Sequence, residues 1–153
     1  MMSISVRFFE QADAEGILGI YRKAGMWFED INIGKGFIVS SAERTDFRFL
    51  VAQEGLEVVG FIGCLYFESV GRAELGPIGV EPKFRGAGVG KALAAGMLSF
   101  LSERGIRRVS VKVKAANGGA LSFFLGLGFR HEAYLREYTL AGEDVTQLVL
   151  HLA

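Results

Sequence analysis

The sequence predicts a mixed α/β fold around one sheet flanked by helices. Three observations carry that prediction. Strand-length blocks of alternating apolar and polar residues recur along the 153 residues, most plainly at Val109, Val111 and Val113. Between them lie segments with apolar residues at helical spacing, closed by Gly25, Gly105 and Gly128. Half of the residues are apolar and thirteen are phenylalanine, ample material to cover a sheet.

In chain order, Ile4–Phe9 reads as a strand. Asp13 then precedes a helix with Ile17, Leu18, Tyr21 and Ala24 on one side, stopped by Gly25. Residues 26–45 mix aromatics, acids and glycines without a clear period, and read either as a functional loop or as a second, core-packed helix. A hairpin follows, Phe47–Gln53 and Val58–Glu68 around Glu54-Gly55, and the turn at Ser69–Arg72 leads to a fourth strand, Ala73–Val80. A helix spans Gly88–Arg104, with Val89, Leu93, Met97, Phe100 and Leu101 on its apolar face. A fifth strand, Arg108–Lys114, precedes a short helix, Gly118–Leu127, capped by Asn117. Two terminal strands, Phe129–Leu140 and Val145–Leu152, meet at Ala141–Asp144. No repeat or linker interrupts residues 1–153, which read as a single domain.

Charge and cysteine content narrow the function classes. Seventeen basic and seventeen acidic residues balance, which argues against a general nucleic-acid or membrane-surface binder. The lone Cys64, inside an apolar strand, reads as a buried core residue and suits a reducing cytoplasm. Neither a signal-peptide pattern nor an apolar run long enough to span a bilayer is present, so the expected location is cytoplasmic.

Chemistry concentrates in Arg85-Gly86-Ala87-Gly88-Val89-Gly90-Lys91, which leaves a strand and opens a helix. Glycines let a ligand approach backbone N–H groups closely, and a helix start carries roughly half a positive charge. With Arg85 and Lys91 alongside, the segment is a seat for phosphate. A P-loop is excluded, because Arg85 and Ala92 stand where it needs glycine and a hydroxyl residue. The dinucleotide fingerprint also fails: counted from Gly86 its last glycine is Lys91, and counted from Gly88 it is Leu93. From Pro82 to Ala116 there are eight basic residues against the single acid Glu103, which reads either as a solvated basic face or as attraction for a polyanion.

What fits is Arg-x-x-Gly-x-Gly (Arg85, Gly88, Gly90), joined by Asn117, Ala120, Phe123-Phe124 and Gly128-Phe129. This pair of motifs, on the right elements and at the right separation, resembles the Gcn5-related N-acetyltransferase family over essentially the whole chain. The resemblance implies the acyl-CoA N-acyltransferase fold, a largely antiparallel sheet whose fourth and fifth strands splay apart around acetyl-CoA. The backbone of Ile78, Gly79 and Val80 would bond the pantetheine arm. Arg85 and the amides of Gly86, Ala87, Gly88, Val89, Gly90 and Lys91 would hold the pyrophosphate, and Asn117 would bond the cofactor from the other side. Phe124 stands at the cofactor where relatives carry a tyrosine that protonates the departing thiolate, so that acid is missing. Lys112 stands where some relatives carry a basic glutamate.

The resemblance implies direct transfer of acetyl from acetyl-CoA to a primary amine of a small molecule, amino acid or peptide, with no metal. The base candidates are Glu74, in phase with Ile78 and Val80, then Glu81, then Glu29 or Asp30. Glu74 reads equally as a solvated strand-edge acid. His131, Tyr134 and Tyr138 would line the acceptor pocket or simply pack. The missing tyrosine and Lys112 keep a second class open, a non-catalytic acyl-CoA sensor acting through a partner. The terminal strands offer an edge for a homodimer.

Overall fold

The computed structural model describes residues 3–29 and 33–153. Its strands form one sheet in the order β1 (Ile4–Phe8), β3 (Phe47–Glu54), β4 (Glu57–Phe67), β5 (Arg72–Val80), β6 (Arg108–Lys114), β8 (Val145–His151), β7 (Arg130–Leu135). All these neighbours pair antiparallel except β5 and β6, which run parallel. A two-residue strand, β2 (Gly25–Met26), pairs with β5.

The helices divide the core into two layers. On one face α3 (Val89–Glu103) and α4 (Gly118–Gly126) bury Leu93, Met97, Leu101 and Phe124 against Ile62, Leu75, Val109, Val111, Val113 and Leu148. On the other, α1 (Ala14–Ala24) and α2 (Lys35–Ala42) bury Ile17, Ile20 and Ile38 against Phe49, Val51 and Phe61. Each fully buried Leu, Ile or Phe removes about 1.5–3 kcal/mol worth of apolar surface from water. Period-2 alternation does the sorting: Val109, Val111 and Val113 face α3, so Arg108, Ser110 and Lys112 face the opposite side.

Several expected boundaries shift. The sixth expected strand stops at Leu135 rather than Leu140, because Glu137 takes φ +50 and Asp144 binds its N–H, folding the chain into a loop that carries Tyr138. Asp13 does not cap α1 with its side chain. Its carboxylate instead accepts two bonds from Arg7 (2.8 and 2.9 Å) and one from the Glu10 N–H (2.7 Å), tying β1 to the first helical turn. Of the expected segment 26–45, Met26 ends β2 and Lys35–Ala42 form α2, with Trp27 packed on Phe28 and Phe37.

The opening in the sheet lies along β5. Its pairing with β6 runs from Arg72↔Arg108 to Leu75↔Val111 and ends there, although β5 continues to Val80 and β6 to Lys114. The break falls at Gly76-Pro77, where Pro77 has no N–H to donate and the β4 register also shifts. An unpaired strand edge demands partners, and the segment leaving α1 supplies them: Gly25 and Met26 stand opposite Gly79 and Ile78.

Candidate active site

The cleft opened by this divergence holds about 460 Å³ and is bordered by β2, Ile78, Gly79, Val80, Arg85, Gly90, Asn117, Ala120 and Phe123. A second recess of about 320 Å³ continues from it along Arg85–Lys91. Ten of the sequence-selected cofactor residues border one or other of these recesses; Ala87, Phe124, Glu74 and Glu81 do not.

The glycine loop keeps its donors open. Gly86 and Gly88 take φ +78 and +83, the left-handed region where a side chain is strained, and no atom lies within 4 Å of where their Cβ would be. The first intrahelical bond of α3 is Ala92 N–H to the Gly88 carbonyl (3.0 Å). The N–H groups of Gly88, Val89, Gly90 and Lys91, and that of Gly86, therefore have no partner among the described residues. Ala87 differs from expectation: its N–H already donates to the Phe84 carbonyl at 3.2 Å, because a 3-10 turn (Pro82–Phe84) closes onto it. Gly90 packs under Phe123, whose ring carbons would lie 3.3 Å from an added Cβ.

The surrounding charges sort equally clearly. Of the eight basic residues between Pro82 and Ala116, Lys83, Arg104, Arg108, Lys112 and Lys114 are each within ion-pair distance of a glutamate. Arg85 and Lys91, at the loop, have no ion-pair partner among the described residues. The basic patch is thus mostly neutralised; of its three cations without an ion-pair partner among the described residues, Arg85 and Lys91 sit at the loop and Arg107 lies apart from it, just before β6. Asn117, at the border of the cleft, caps α4 by accepting the Ala120 N–H (3.1 Å), and its side-chain NH2 group has no acceptor among the described residues.

Three sequence expectations meet a different arrangement. Ile78 and Gly79 are not an open edge, since β2 is registered against them, and Val80 borders the cleft at the end of that register. Phe124 is fully buried, packed edge-on against Phe123 and Phe129, and it is Phe123 that faces the cleft. On α4 the two positions lie about 100° apart, so one ring joins the core and the other the cleft. Glu81 lies just past β5 with both carboxylate oxygens on Lys23 (2.8 and 3.0 Å), held toward α1.

Glu74 is half-buried on the opposite face of the sheet, one residue before the β5–β6 pairing ends. Its Oε1 accepts a bond from Lys112 Nζ at 2.8 Å, and Oε2 has no donor among the described residues. Lys112 Nζ also lies 5.6 Å above the Phe28 ring, and Phe28 contacts Tyr138 at 5.7 Å. Two segments distant in sequence thereby meet beside the ammonium that holds Glu74. The aromatics of residues 26–45 stood out in the sequence, but their contact with Lys112 and Tyr138 was invisible to local pattern reading. Glu29 lines a separate recess of about 300 Å³ with Thr139, Leu140, Ala141 and Glu143, and Asp30 lies outside the described residues. Tyr134 donates to Asp144 (2.6 Å), which with the Glu137 N–H holds that carboxyl below its ordinary range. His131 borders a recess with Arg130, Glu132 and His151 on the far strands, away from Glu74. Burial pushes the Cys64 thiol far up, so it stays an inert core thiol.

A sheet parted between two parallel strands, with an open glycine loop at one mouth and a half-buried carboxylate on the other face, defines an acyl-CoA-type transferase fold. Comparison with known proteins gives the family. Residues 17–129 match the acetyltransferase (GNAT) family, and the chain belongs to it. It is 30% identical over 146 residues to mycothiol acetyltransferase of Amycolatopsis mediterranei, covering 84% of this chain and 47% of that protein. An uncharacterized N-acetyltransferase of Methanocaldococcus jannaschii is 28% identical over 142 residues, covering 86% and 63%. The chain thus spans about half to two thirds of the length of these two curated relatives. Among solved structures, the ribosomal-protein-S18-alanine N-acetyltransferase of Escherichia coli superposes with a TM-score of 0.84 at 21% identity, over 99% of this chain and 95% of that one. An acetyltransferase fold from Salmonella typhimurium, solved with acetyl-CoA, gives 0.83 at 21% identity, over 98% and 94%.

Proposed function

We propose that this chain is an acetyl-CoA-dependent N-acetyltransferase that transfers acetyl directly to a primary amine. The observation that carries the reading is the set of unpartnered loop N–H groups beside the two unpaired cations, Arg85 and Lys91, at the mouth of the parted strands. Those groups fit a pyrophosphate: several N–H donors converge on it, full positive charge adjoins it, and no side chain fills the approach. The arm would enter alongside Val80 and Phe123, with the Asn117 amide donating from α4.

Glu74 is the base of this reading. The acceptor arrives as an ammonium and must lose a proton before it can attack; Oε2, left over by Lys112, takes it directly or through water. The amine nitrogen then bonds the thioester carbonyl carbon, the C–S bond breaks, and the electron pair leaves on sulfur. With Phe124 buried, no side-chain acid meets that sulfur from α4. A thiol of pKa about 8.5 is a fair leaving group and takes its proton from water. Lys112 stands on β6 where some relatives carry a basic glutamate and holds Glu74 on β5, so in this reading the base sits across the pairing.

Thermal unfolding with acetyl-CoA, CoA, ATP and NAD in parallel tests the cofactor half of the reading. Ligand at a hundred times its Kd adds about 2.7 kcal/mol and should raise the midpoint by roughly 5–10 °C for acetyl-CoA and CoA. No shift with either at millimolar concentration would end it. Release of free CoA thiol across an amine panel tests the transfer half; binding without release on any amine would favour the second reading, an acyl-CoA sensor whose Glu74 is permanently neutralised by Lys112.

A further inference from the structure

One half of the α1/α2 face of the sheet has no helix in its core cluster. There β5, β6 and β8 present Arg72, Glu74, Arg108, Ser110, Lys112 and Gln147 around a groove of about 230 Å³. Two features of this groove leave cationic donors open to an anion. Arg72 and Arg108 stand directly opposite each other in the β5–β6 register, and like charges in that relation repel. Arg108 is compensated by Glu132, itself held by Gln147 Nε2 (2.8 Å), but Arg72 has no hydrogen-bond or ion-pair partner among the described residues. A guanidinium presents five donors in a fixed fork, so Arg108 keeps donors for a second anion beside Glu132. Ser110, one register step along and on the same face, makes only a long 3.5 Å contact to the Ala73 carbonyl.

The same groove holds Glu74 two residues along β5 from Arg72, roughly 7 Å at the backbone. A proton-accepting carboxylate and an unpaired guanidinium at that spacing are complementary to one molecule carrying both an ammonium and an anion. Phe28 and Tyr138 close the Lys112 end, which leaves the anion to point toward the arginines. We propose that the acceptor is a small amine bearing its own carboxylate, a free amino acid, with Arg72 and Arg108 as its carboxylate subsite. This rests on the transferase reading and gives it a substrate class: the groove selects zwitterions over simple amines.

The test compares free α-amino acids with their amides, which keep the amine and lose the anion, by CoA thiol release. A charge-assisted bond made to one and not the other should favour the acids in kcat/KM by about tenfold or more. Arg72→Gln should bring that ratio to about one, while Arg130→Gln, a charge-matched change on β7 outside the groove, should leave it standing. Equal rates for acids and amides in the unaltered protein, or a ratio that survives Arg72→Gln, would overturn the subsite. A second readout is independent of turnover: the melting midpoint of the CoA-saturated protein with N-acetyl amino acids against N-acetyl amino-acid amides. If no amine releases thiol although acetyl-CoA stabilises the protein, the transferase reading fails. The subsite then stands or falls on whether the acids shift the midpoint more than the amides and lose that excess in Arg72→Gln.

Discussion

The glycine-loop cleft and the Glu74 groove are built from different materials. At the glycine loop the open groups are backbone N–H donors fixed by the start of α3, beside Arg85 and Lys91, which have no ion-pair partner among the described residues. On the opposite face the groups are side chains, and most are already engaged: Lys112 with Glu74, and Arg108 with Glu132. A backbone site tolerates changes of side chain nearby but not an intruding Cβ or a changed dihedral. A side-chain site is the reverse, because its geometry depends on which partner holds which atom. The first suits a constant ligand, the second one that differs between relatives.

The sharpest way to break this contrast is Glu74→Gln. If Glu74 is the base, kcat falls by roughly 100-fold or more at neutral pH and partly recovers as pH rises, since the amine then deprotonates unaided. An unchanged pH–rate profile removes Glu74 from the chemistry. Gly88→Val attacks the other side: the left-handed φ of +83 costs a side chain roughly 1–2 kcal/mol, and the branch crowds the open N–H groups. The midpoint shift produced by acetyl-CoA should disappear, a result that calorimetric titration would confirm as lost affinity. Arg85→Gln and Lys91→Gln should each weaken CoA binding by about tenfold and flatten its salt dependence, with kcat on saturating acetyl-CoA nearly kept.

Two smaller effects sharpen the picture through stability. Phe124→Tyr would place a hydroxyl in a fully buried position, so it should destabilise the protein by about 1–3 kcal/mol in urea and bring no gain in turnover. A rise in kcat would instead mean that this position reaches the sulfur. Asp13→Asn, at a buried carboxyl far from the cleft, should cost roughly 1–3 kcal/mol and leave the Kd for acetyl-CoA unchanged. Burial pushes the Asp13 carboxyl up, but the Arg7 bonds, the Glu10 N–H and the Arg7 charge outweigh it and hold it below its ordinary value. Its folded pKa is therefore the lower one. Its contribution is full above about pH 4, the unfolded value, and is lost as pH falls through the folded value. Urea midpoints at pH 5 and pH 3 should differ more for the unaltered protein than for Asp13→Asn.

By itself the sequence determined what depends on neighbours in the chain. The period-2 valines placed β6 and its two faces, the glycines closed the helices, and Arg85–Lys91 announced a backbone anion seat, because φ freedom, helix starts and alternation are local properties. Asn117 was legible as a cap for the same reason. Only the tertiary structure decided which charges remain free, since Lys112 finds Glu74 from 38 residues away and Lys23 claims Glu81 from 58. It also chose Phe123 over Phe124 for the cleft, laid Gly25–Met26 along the edge β6 abandons, and set Arg72 opposite Arg108. Those outcomes depend on strand register and on competition for burial among distant segments. An individual residue carries no local mark of either, so the open glycine loop was readable from the chain while the face around Glu74 had to be seen folded.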